Sequence, residues 1–77
     1  MTELAYVLIV LERNTPAAVA RELRKVAGVV EAHITMGEFD IIAVVELEGT
    51  KGFPAVAGAI QRIEGVARVS TCVVVQP

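Results

Sequence analysis

The sequence predicts one α+β domain of βαββαβ order spanning residues 1–77, and three observations carry that prediction. Apolar runs of strand length alternate with segments whose apolar residues recur every three or four positions. A Gly-Val pair closes each helical segment, first Gly28-Val29 and then Gly65-Val66. Glycine and polar residues gather at Gly37–Asp40 and Gly49–Gly52, where the chain has to turn.

Ala5 to Leu11 is uniformly apolar over the length of a strand, and reads as a strand buried on both faces. Glu12 to Pro16 breaks the run. Thr15 offers an N-cap hydroxyl and Pro16 suits the first helical position, so a helix begins there. Between Ala17 and Val26 the residues Val19, Ala20, Leu23 and Val26 share a face, while Arg21, Glu22, Arg24 and Lys25 occupy the other. Gly28 supplies a left-handed stop. Val29 to Thr35 alternates, with Val30, Ala32 and Ile34 against Glu31, His33 and Thr35, the pattern of a strand wet on one face or near an edge.

The corner Gly37-Glu38-Phe39-Asp40 comes next, and Gly37 can adopt the positive φ that a sharp reversal demands. Ile41 to Val45 is a second strand apolar on both sides, running on to about Glu48. Pro54 is tolerated only in a first helical turn, so the second helix starts close to Gly52, with Phe53, Val56, Ala57, Ile60 and Ile63 as its stripe. Gly58 inside it is either tolerated at a cost in helix propensity or marks a close approach. Gly65 ends the helix, and Val66 to Val75 forms the fourth strand.

The Gly-Val pairs lie 37 residues apart, and at that offset Val19 meets Val56, Leu23 meets Ile60, Val26 meets Ile63, and Leu8 meets Val45. Strand, helix and strand are written twice. Two interleaved split βαβ units with right-handed crossovers give a ferredoxin-like antiparallel sheet of order 4-1-3-2 with both helices on one face. The other face has no helices, yet the two central strands are apolar on both sides. That face is expected to pack on a second copy, giving a dimeric α/β sandwich.

Composition points the same way. Seventy-seven residues bury a modest interior, but 55% of this chain is hydrophobic. The net charge of −2 and the lack of a basic run argue against direct nucleic-acid binding. Cys72 alone provides no disulfide framework and no CxxC site. No apolar stretch nears the roughly 20 residues that span a bilayer, and no signal peptide is visible, so a cytoplasmic protein that does not engage membranes is expected.

Chemistry-bearing residues are few. His33 is the single histidine, with Glu31 and Glu38 as weak companions for a metal. Asp40 and Glu46 lack a nucleophile or second catalytic group to work with. No phosphate loop, GxSxG or HExxH occurs. No cofactor, metal site or catalytic residue is assigned, and no enzymatic activity is expected. Ser70-Thr71-Cys72 places small polar or soft side chains on a valine-rich strand, either for packing or to line a cleft.

Two patterns, taken together and in order, resemble a known family. Gly28, Val29, Ala32, Met36, Gly37, Phe39 and Asp40 match G-V-x-x-A…M-G-x-F-D, and Gly65, Val66, Thr71, Val73 and Val74 match its second half. The chain resembles the effector (RAM) domain of the Lrp/AsnC transcriptional regulators over nearly its whole length. The resemblance implies a homodimer formed through the sheet, dimers joined into octamer-like rings, and an amino acid bound between dimers. It implies Gly37, Glu38, Phe39, Asp40, Ser70 and Thr71 as the ligand-binding residues. Val69 and Cys72 depart from the Thr or Ser of many members. Family members carry a helix-turn-helix domain before this module; this chain opens on a strand, so a stand-alone module is expected, which joins mixed rings with full-length relatives. The competing readings are a small dimeric ferredoxin-like enzyme, which would need a cavity beside His33, and an ACT-like regulatory domain, which would pair its sheets side by side.

Overall fold

The computed structural model describes residues 2–12 and 15–75. Six elements follow in the order β1 (Thr2–Leu11), α1 (Pro16–Leu23), β2 (Val29–Ile34), β3 (Ile41–Glu48), α2 (Phe53–Gln61) and β4 (Val66–Val73). The sheet is antiparallel with order β2-β3-β1-β4, which is 4-1-3-2 read from the other edge.

Local chemistry sets the boundaries. Thr15 caps α1, its hydroxyl accepting from the Ala18 N–H at 3.4 Å, and Pro16 opens the helix. The expected helix to Val26 ends early, at Leu23. Beyond it Lys25 N–H donates to Glu22 and Val26 N–H to Leu23, a tightened turn that runs into Gly28 at φ +97°. Gly28 also lacks room for a side chain, since a Cβ there would sit 2.8 Å from a Leu47 methyl. Gly58 is the opposite case: a Cβ would meet only the Arg62 guanidinium, at 3.6 Å. Its place in α2 reflects tolerance, not close packing.

The core lies between helices and sheet. Ala5, Val7 and Ile9 of β1 and Ile41, Ala43 and Val45 of β3 point into it, and Val19, Leu23, Phe53 and Ile60 cover them. The repeat holds for helices and Gly-Val turns but shifts in the strands. Leu8 and Val45, paired by the 37-residue offset, face opposite sides of the sheet. Strand side chains alternate with period two, so an odd offset reverses the face.

Both outer strands keep partly free edges. Arg24 Nη2 donates to the outward carbonyl of Ala32 at 3.1 Å, and Gln61, 37 residues after Arg24, reaches the carbonyl of Ala67 at 3.5 Å. Ile34 on β2 is half exposed because the strand is an edge; Val30, expected to face inward with Ala32 and Ile34, is half exposed where the register shifts between Val29 and Glu31, and Val29 packs on the core instead.

Candidate functional site

The corner between β2 and β3 is held by one side chain on each side of it. The Asp40 carboxylate Oδ2 accepts the Leu11 N–H at 2.8 Å. The Asp40 backbone completes the junction: its N–H donates to the Ile9 carbonyl and its carbonyl accepts the Thr35 N–H, both at 2.9 Å. Thr35 Oγ1 donates to the Phe39 carbonyl at 2.7 Å. Asp40 therefore ties the corner to the end of β1, where Glu12 N–H in turn bonds the Gly65 carbonyl. Thr35 is the residue the sequence reasoning missed; a hydroxyl just ahead of a glycine turn was the available signal.

Within that frame Gly37 is exposed at φ +145°, with open space where a Cβ would be. Its glycine is required by backbone conformation, not by crowding. Glu38 is exposed, and Phe39 and Asp40 are half-buried. The N–H groups of Gly37 and Glu38 have no hydrogen-bond partner among the described residues. The corner thus presents two free donors next to a carboxylate that keeps one oxygen uncommitted.

Ser70 and Thr71 are not brought to this corner within one chain. Ser70 lies opposite Leu8, with two strands between it and β2, on the face without helices. Thr71 lies opposite Val7 and so points to the helix side. There it lines a 300 Å³ cavity with Thr50, Phe53, Pro54, Ala57 and Val73. A second cavity separates the two helices, lined by Val19, Arg21, Glu22, Arg62 and Glu64 among others. His33 lines neither cavity. Its Nε2 is 2.7 Å from Glu31 Oε1 in an exposed pair on the open sheet face.

That face is the other distinctive surface. Leu4, Tyr6, Leu8 and Val10 of β1 and Ile42 and Val44 of β3 form its centre. Glu31 and His33 rim it on β2; Arg68, Ser70 and the free thiol of Cys72 rim it on β4. Tyr6 keeps 45% of its surface exposed and its central neighbours are partly covered. Among the described residues no cluster of three or more His, Cys, Asp or Glu could hold a metal, and no helix is long and apolar enough to cross a membrane.

A βαββαβ sandwich with this corner matches a family model, the Lrp/AsnC ligand-binding domain, over residues 4–77. The chain belongs to that family. Its members are ligand-binding modules of transcriptional regulators. The chain is similar to TTHA0845 of Thermus thermophilus, with a TM-score of 0.89 and 26% identity over 97% of this chain and 95% of that one. It is similar in fold to AsnC of E. coli, with a TM-score of 0.86 and 22% identity over 97% of this chain and 52% of the other. The Neisseria meningitidis regulator NMB0573, solved as an L-Met complex, gives 0.78 and 17% over 96% of this chain and 50% of the other. The Lrp/AsnC module found here spans about half the length of those two regulators. No curated protein matches the sequence.

Proposed function

We propose that this Lrp/AsnC module binds an amino acid between copies of itself and couples that binding to assembly: a homodimer through the open sheet face, larger rings, and mixed rings with other members of the family. The single observation that carries the reading is the open face, whose central residues are as apolar as those of the core. Covering a few hundred Å² of it at about 25 cal/mol per Å² contributes several kcal/mol, on the scale of the whole stability of a small domain. A lone subunit forgoes that.

The corner supports the ligand class. Free N–H groups at Gly37 and Glu38 suit a carboxylate, and the uncommitted oxygen of Asp40 suits an ammonium group, a pairing that strengthens where an interface excludes water. Phe39 offers an apolar wall. Ser70 and Thr71 can join only from another copy. The relative crystallised with L-Met supports an amino acid as the effector. An enzymatic role has less support, because His33 stands in an exposed hydrogen bond with Glu31, away from both cavities.

The test combines sedimentation with a thermal-shift screen across the amino acids. A dimer or larger species that melts higher with at least one amino acid is expected. A monomer at micromolar concentration that no amino acid stabilises ends the proposal.

A further inference from the structure

The two helices cover the sheet without closing on each other. α1 packs on β2 and β3, and α2 on β4. A 510 Å³ cavity remains between them. Its floor is apolar: Val19 is fully buried, and Ile63 packs against the core. Ala18 on one wall and Ala59 on the other are too small to fill it. The volume lies within the roughly 300–1,000 Å³ of small-molecule sites.

The charges on this cavity are its unusual feature. Arg21 comes from α1 and Arg62 from the residue that closes α2, so the fold, not the sequence, brings them to one groove. Either one alone is accounted for by its place at the end of a helix, where a cation offsets the dipole. Together they set two like charges on opposite walls, which an anion between them would relieve. The acids of the lining do not neutralise them. Residues one position apart on a helix project in different directions, and Glu22 turns from Arg21 to Lys25, at 3.0 Å. The side chains of Arg21, Arg62 and Glu64 make no hydrogen bond or ion pair with any described residue.

We propose that the groove between α1 and α2 binds a small monocarboxylate with an apolar body, the carboxylate held between Arg21 and Arg62 and the body lying on Val19 and Ile63. A guanidinium matches a carboxylate with two parallel N–H donors. The free carboxylate of Glu64 sets the charge class. With Glu22 already committed to Lys25, it leaves the lining short of the positive charge that a dianion or a polyanion requires, and a single negative charge suits it best. The site is complete within one chain. It shares no residue with the Gly37–Asp40 corner and needs no second copy, so it stands or falls apart from the assembly proposed above.

Titration of the isotope-labelled full chain with phenylacetate, followed by amide chemical shifts, tests this. Saturable shifts are expected at Val19, Arg21, Ala59, Arg62 and Ile63. Acetate, which has the charge without the body, should bind more weakly, and phenethylamine, which has the body with the opposite charge, should not bind there. Arg21→Gln and Arg62→Gln are each expected to weaken phenylacetate roughly fivefold, the upper range of an exposed ion pair, and together to abolish it. Arg62→Lys should fall between wild type and Arg62→Gln, and Glu64→Gln should bind about twofold more tightly because a like charge is gone. Ala59→Phe fills the groove without touching a charge and should also abolish binding; the dispersion of the unliganded spectrum verifies that each variant folds. No saturable shift at these residues up to millimolar phenylacetate, shifts confined to the Gly37–Asp40 corner, or shifts that survive loss of both arginines overturn the site.

Discussion

The two faces of the sheet are made of the same kind of residue and end up in different surroundings. On β1, Ala5, Val7 and Ile9 point toward the helices and are at most 1% exposed, while Tyr6 on the other face keeps 45%. Leu8 and Val10 lie between these extremes. An apolar pattern specifies that a face must be dry; it does not specify what dries it. For the inner face the cover is written into the same chain, as the stripes of α1 and α2. For the outer face, no element among the described residues serves.

That contrast breaks most readily at neighbouring positions of β1. Ile9→Ala is expected to lower the unfolding free energy by about 2–5 kcal/mol, the cost of a buried cavity. The loss should be the same at every protein concentration, because the cavity lies inside one chain. Leu8→Asp should act differently. It leaves the helix-side core intact, so far-UV circular dichroism of the diluted protein should be preserved, but it introduces a charge at the centre of the face proposed to dimerise. The expected outcome is a monomer, with stability falling as wild-type dimer is diluted and no such dependence in the variant. Urea unfolding at two concentrations distinguishes the two. Equal, concentration-independent losses at Ile9 and Leu8 would mean that the outer face needs no partner.

Gly28 sharpens the comparison from the inner side. Its φ of +97° strains any other residue, and a Cβ would press on Leu47 from 2.8 Å. Gly28→Ala is expected to cost about 1–3 kcal/mol from backbone strain, with the Leu47 displacement added. Gly37 has a similar backbone demand but open surroundings. Gly37→Ala should cost less in a melting experiment than Gly28→Ala and should show mainly in ligand binding and assembly.

Much of this was legible in residue order. Thr15-Pro16 fixed the start of α1, Pro54 fixed that of α2, and unbroken apolar character on Ala5–Leu11 and Ile41–Val45 identified the central strands. The corner was legible because glycine and aspartate have few uses between two strands. Three features were not. Ser70 and Thr71 group as adjacent polar residues, yet adjacent strand residues face opposite ways, and only the register with Leu8 and Val7 says which way each goes. The strand repeat puts Leu8 and Val45 on opposite faces, because the helices and turns set an odd offset and strand side chains alternate with period two. The Asp40–Leu11 bond spans 29 residues of chain, and no local pattern encodes a contact of that range.

Asp40 poses the smallest and most discriminating test, since it stands where the two faces meet the corner. One of its oxygens already holds the Leu11 N–H, so turn capping and ligand binding are compatible roles of one carboxylate. They separate by substitution. Asp40→Ala removes the acceptor and leaves a partly buried N–H unpaired, which should cost about 1–2 kcal/mol in chemical denaturation. Asp40→Asn keeps an acceptor oxygen of the same reach and should cost only about a few tenths of a kcal/mol, the difference between a charged and a neutral acceptor at a partly exposed site. If the carboxylate also meets an ammonium group, Asp40→Asn should lose the amino-acid-dependent rise in melting temperature while retaining the stability of the unliganded protein. If the side chain only caps the turn, Asp40→Asn should respond to amino acids as the wild type does, and the ligand role moves away from Asp40 altogether.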